Sequence, residues 1–182
     1  MPRRAKKTPC TRLALLMALA MGIAPAWAAA LSMQDEMFLK NAAKASVMEQ
    51  EFNRLALVHS KTPAVKEYAQ RVLKDHEKCG EQLKKLALKL DLELQDEPSL
   101  VEKVRLHLMS AKDGKPFDLA FIEDIGVDAH QDEVELFERA AAKVENTELK
   151  AFASQHLPLL KRHLEAGKRL EISLKEPAPD AH

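Results

Sequence analysis

The 182-residue chain predicts an all-α fold. Its form is an antiparallel four-helix bundle with a short extra helix in the connection between the second and third long helices. Three observations predict it. Five glycines and 4% aromatic residues leave little material for turns and sheet faces, while Ala, Leu, Glu and Lys, all strong helix formers, dominate. Prolines and Asp-Gly or Asn-Thr pairs punctuate the chain at long intervals. Between them, apolar residues recur at three- and four-residue spacing, the period of one helix face.

The N-terminus is a separate element. Arg3, Arg4, Lys6, Lys7 and Arg12 precede an apolar run from Leu13 to Ile23, and Ala26-Trp27-Ala28 supplies a small-x-small cleavage pattern. Residues 1–28 therefore read as a secretory signal peptide, too short and wrongly flanked for a membrane span. Cys10 lies before the apolar run, which argues against a lipoprotein attachment site. Cleavage after Ala28 removes five basic residues and no acidic one, leaving 23 Lys+Arg against 28 Asp+Glu, a net charge of about −5. That balance excludes a broad basic face for nucleic acid. No second apolar run reaches membrane length, so no transmembrane insertion of the mature chain is expected. Export implies a periplasmic location. Cys79, then the one cysteine left, has no partner for an internal disulfide and reads as a small buried hydrophobe.

The bundle occupies residues 29–175. Ser32, with Asp35 three residues on, caps a first long helix that runs to about His59. Thr62-Pro63 opens the second, with Thr as cap and Pro at the first helical position, to about Leu90. Pro98 opens a short helix to about Ala111, closed by Asp113-Gly114. Pro116 opens the third long helix, continuous to about Val144. Asn146-Thr147 caps the fourth, which ends near Leu174 and contains Pro158, a site for a kink. Residues 176–182 carry two prolines and no apolar period, and read as a disordered tail. Short turns make the first two and last two long helices antiparallel hairpins. The stretch from about 91 to 115 is expected to cross the length of the bundle, as in ferritin-like folds, rather than stay at one end.

The inward stripes carry polar residues. The first helix gives Phe38, Ala42, Ala45, Glu49, Phe52 and Ala56, and the second gives Val65, Ala69, Val72, His76, Leu83, Leu86 and Leu90. The third gives Phe117, Ala120, Val127, His130, Val134, Phe137, Ala141 and Val144, and the fourth Leu149, Phe152, His156, Leu160, His163, Gly167, Leu170 and Leu174. Counted from the turns at about 1.5 Å per residue, Glu49, His76, His130 and His163 fall near one level at mid-bundle. His156 shares the stripe two turns from His163. Asp75 is expected on a flank, and Glu123, seven residues before His130, as a further inward carboxylate.

Two readings fit these residues. One is a metal site in which Glu49, His76, His130 and His163, with His156 as a further candidate, hold a single Zn, Fe, Mn or Cu ion. The other is a buried Glu–His hydrogen-bond network that fixes helix register. No Glu is followed by His at the third position, so the di-iron signature of ferritin-like enzymes is absent. Neither a phosphate-cradling loop, a zinc-spaced Cys pair nor a Ser/His/Asp constellation is present, and no catalytic or cofactor-binding residue is assigned. His59 and His107 read as boundary or surface groups.

Phe38-Leu39, Ala42-Ala43 and Glu49, then Asp75-His76, Phe117-Asp118 with His130, and Leu157-Pro158-x-Leu160-x-x-His163-Leu164 together resemble a large bacterial family. Its members are exported ferritin-like four-helix domains of unknown function, often labelled "predicted outer membrane protein". The resemblance covers about residues 33 to 174. It implies a ferritin-like bundle and a periplasmic home, and little chemistry. The chain shows no alternating strands for a barrel. The reading is thus a periplasmic ferritin-like bundle with a metal site in its core. The alternative is a structural or interaction module that binds an envelope partner or self-associates, and the third is a metal-dependent redox enzyme.

Overall fold

The computed structural model describes residues 31–176, so the expectations for the signal peptide at 1–28 and for the tail at 177–182 lie outside the described residues. Among the described residues every regular element is helical: α1 (Met33–His59), α2 (Pro63–Lys89), α3 (Leu100–Ser110), α4 (Gly114–Phe121), a π-helical segment Ile122–Ala129, α5 (His130–Lys143) and α6 (Thr147–Lys175).

Local chemistry explains the ends. Ser32 and Asp35 form a reciprocal capping box on α1. The second Asp35 oxygen accepts from the amides of Glu145 and Asn146, at 2.9 and 3.0 Å, tying the start of α1 to the α5–α6 turn. Burial raises the Asp35 pKa, but the hydrogen bonds from Asn146, Ser32 and Glu145 outweigh it and hold the carboxyl below its ordinary value. Thr62 stands at the cap of α2, yet its hydroxyl does not cap. It donates instead to the buried Asp118 at 2.6 Å, pinning α4 to the foot of α2. Ser99 rather than Pro98 marks the start of α3, through a capping box with Glu102. Gly114, at φ +58, opens α4 two residues before Pro116. Asn146 accepts from the amides of Glu148 and Leu149 and caps α6. That helix continues through Pro158.

Contacts at the two ends fix the path of the connection. The foot of α1 and α2 meets the start of α4, through His59–Asp113 at 3.0 Å and Thr62–Asp118. The other end joins the start of α1 to the α5–α6 turn, and the end of α2 to the start of α6 through the Lys89–Glu148 pair. Residues 90–113 therefore travel from one end to the other. On the way α3 lies along α1, with Lys44 paired to Glu102 at 3.2 Å and Arg105 over the Phe52 ring.

The third long helix departs from the expected continuous α-helix. A π-helical segment bonds i to i+5 and so takes an extra residue per turn. Its effect is a change of phase. Phe117, Phe121, Ile122 and Ile125 face inward before and within it, while His130, Glu133, Val134 and Phe137 face inward after it. Ala120 and Val127 are only half-buried, and Glu123 is exposed rather than inward. Two apolar clusters result. One, around Phe38, Leu83, Phe137 and Phe152, lies toward the α5–α6 turn, and the other, around Phe52, Val65, Phe117 and Phe121, lies toward the α1–α2 turn.

The π segment and α6 approach at two glycines. A Cβ on Gly167 would overlap the Gly126 carbonyl, whereas one on Gly126 would meet the Gly167 Cα at an ordinary 3.6 Å and Ile122 Cδ1 at 3.3 Å. Gly167→Ala is therefore expected to destabilise by about 1–3 kcal/mol or more, as overpacking against backbone does. Gly126→Ala should stay within about 1 kcal/mol of the parent. Urea midpoints of the two variants check the asymmetry.

Candidate metal centre

Between the two apolar clusters lies a layer of buried polar side chains. Glu49 and Asn53 come from α1, His76 from α2, His130 and Glu133 from α5, and His163 from α6. All are at most 5% exposed. The layer brings His76, His130 and His163 together: one ring nitrogen from each lies within 4.8 Å of the other two. Their ring centroids are 5.3 to 5.8 Å apart.

The outer hydrogen bonds decide which nitrogens face inward. His130 Nδ1 lies 2.8 Å from the Ile125 carbonyl, which can only accept, so Nδ1 carries the proton and Nε2 keeps its lone pair. His163 Nε2 donates to Asp75 Oδ2 at 3.1 Å, leaving Nδ1 as the bare nitrogen. Both bare nitrogens, and both nitrogens of His76, are buried without a hydrogen-bond partner. Imidazoles that ligate metals are oriented in this way, by a carbonyl or carboxylate behind the ring. Asp75, expected on a flank, is indeed partly exposed, but it reaches back to His163.

Glu49 and Glu133 border the imidazole triangle. Glu49 Oε2 accepts from Asn53 Nδ2 at 2.9 Å, and its Oε1 lies 3.7 Å from His130 Nδ1, the protonated side of that ring. Glu133 Oε2 lies 3.7 Å from His76 Nε2 and has no hydrogen-bond partner. His156 is not part of the cluster. It is half-buried, bonds Gln82 Oε1 at 2.7 Å and packs its ring on Phe152.

The electrostatics follow from burial. Desolvation pushes both carboxyls up to about 8, moderated by the Asn53 hydrogen bond at Glu49 and reinforced by the Glu49 charge at Glu133. It pushes His163 down to about 4, helped by His130 and opposed by Asp75, and holds His76 well below its ordinary value. At neutral pH the layer without a cation is thus two carboxylic acids beside neutral His76 and His163. These are groups able to become carboxylates and lone-pair donors around an ion. Tyr68, buried beside them, has its hydroxyl 3.4 Å from the carbonyls of both Gly126 and His163, linking α2 to the π segment and α6. Cys79 is buried in the apolar cluster, its thiol raised to about 12 by burial first and by Glu133 second.

Sequence periodicity missed Glu133 and Asn53. Asn53 follows Glu49 by one turn and could have been found. Glu133 follows His130 by three residues on the same helix and could have been found in the same way.

The pKa directions set a pH dependence for the metal-free protein. The two acids keep protons that the unfolded chain has released above about 4.5, so they lower stability as pH rises until about 8. The neutral histidines resist protons that the unfolded chain takes up below about 6.5, so they lower stability as pH falls through that value. The trends oppose each other between 4.5 and 6.5. Only the carboxyl loss acts from 6.5 to 8. Urea midpoints in chelator should fall across this upper window, and the Glu49→Gln, Glu133→Gln double variant should remove the fall.

A protein-family model matches residues 20–170, and its description is a domain of unknown function, DUF4142. No curated protein and no solved structure matches the chain.

Proposed function

The chain belongs to the DUF4142 family, and from that premise we propose that it is an exported, periplasmic protein with a ferritin-like four-helix bundle that binds one transition-metal ion in its core. His76, His130 and His163 supply the ligands. Glu133, whose orphaned oxygen lies 3.7 Å from His76 Nε2, is the carboxylate placed to join them, and Glu49 stands behind His130.

One observation carries this reading: four imidazole nitrogens are buried without partners while the far sides of the His130 and His163 rings are hydrogen-bonded. Buried polar groups are normally paired, and leaving one unpaired costs about 1–3 kcal/mol. A purely structural Glu–His network would satisfy its members mutually. Here His76 and Glu133 stand 3.7 Å apart, too far for a hydrogen bond. An ion satisfies one nitrogen from each of the three rings together. Tetrahedral ligands about 2.1 Å from an ion lie roughly 3.4 Å from one another, so the rings close in on binding. Zn, Fe, Mn and Cu suit imidazole with carboxylate.

Elemental analysis of untagged protein purified without chelator should find about one equivalent of a single such metal per chain. His130→Ala and His163→Ala should lose it, and the metal should raise the melting temperature of the parent alone. Asp75→Asn keeps the three ligands but weakens the support behind His163, and should lower affinity about 10–100-fold. Protein that holds no metal and takes up none on titration would make the layer core architecture.

A further inference from the structure

The α1 and α5 helices do not close on each other at the level of the polar layer. Between them is a cleft of about 290 Å³, with α3 along one side and Glu49 and Glu133 at its inner wall. The volume sits at the small end of small-molecule pockets. Its sides are apolar: Ala45, Met48 and Phe52 from α1, Ile125 from the π segment and Leu136 from α5.

The charges at the mouth are unequal in their commitments. Glu102 receives Lys44 at 3.2 Å and the Ser99 amide at 2.6 Å, so that acid and that lysine are mutually engaged. Asp132 is exposed to water. Arg105 is exposed as well, but differs in its partners. Its guanidinium lies over the Phe52 ring, 5.7 Å from the centroid, and it forms no ion pair with any described residue. A planar, permanently charged group with open donors, held against an aromatic wall, is suited to a carboxylate.

We propose that this cleft binds a short amphiphilic monocarboxylate, its head on Arg105 and its alkyl body between α1 and the π segment–α5 face. The ligand fills the cleft beside the polar layer without needing an ion there, so the proposal does not rest on the metal reading.

Calorimetric titration of octanoate into the full chain, stripped of metal by chelator, tests it. Octanoate should bind with a Kd of about 1 mM or tighter. Arg105→Gln, which keeps the start of the apolar stem and a polar end but removes the charge, should weaken binding about tenfold or more. Met48→Trp should abolish it by filling the cleft. Circular dichroism and melting must show both variants folded. If Met48→Trp does not fold, Ala45→Leu serves as the second cleft-filling variant. Octylammonium, with the same tail and the opposite charge, should not bind. No octanoate binding to the parent, equal binding by Arg105→Gln, or equal binding of octylammonium would each overturn the proposal.

Discussion

The constraint on which the structure depends is the desolvation of one polar layer between two apolar halves. Leu, Ala and Phe pack on either side of it, while Glu49, Asn53, His76, His130, Glu133 and His163 sit within it at 5% exposure or less. Burial first, and the neighbouring charges after it, drive these carboxyls toward the neutral acid and hold His76 and His163 in the neutral imidazole form. The surrounding elements then divide the remaining polar valences. Ile125 and Asp75 each take the outward N–H of a histidine, Asn53 takes one oxygen of Glu49, and the inward valences are left free.

Two backbone features hold the layer in register. The contact between Gly126 and Gly167 lets α6 approach the π segment closely enough for the His163 and His130 rings to stand 5.3 Å apart. The π segment rotates α5 relative to α4, so that Phe117 and Phe121 can pack inward below the layer while His130 and Glu133 reach into it. π-bulges are frequent at functional sites, and this one also presents the Ile125 carbonyl to the histidine five residues on. The long connection that carries α3 past α1 has its own consequence: it borders the cleft through which the layer's carboxyls approach solvent.

Most of the helical pattern was legible in the residues. Ser32 with Asp35 and Asn146 before α6 mark helix starts by capping chemistry, which is local and so readable from sequence. The three clustered histidines were legible because each lies on a regular stripe whose depth follows from its distance to a turn. What was not legible depends on tertiary context. Glu123, inward on a continuous α-helix by its seven-residue spacing to His130, is exposed, since a continuous α-helix and one with a π segment share the same residues and differ only in phase. His156 lies on the α6 stripe near its edge, and whether it turns to the core or to Gln82 is decided by a neighbouring helix. Asp75 looked peripheral because its Cα is peripheral, yet its carboxylate closes on His163.

The central claim is that three imidazoles of this layer are metal ligands. X-ray absorption at the K-edge of the metal carried by the purified protein tests it most directly. The account predicts a four- or five-coordinate ion with three imidazole nitrogens at about 2.0–2.1 Å, seen as multiple scattering from the rings. An all-oxygen shell without imidazole scattering, or one unchanged in His76→Ala, His130→Ala and His163→Ala, would contradict it.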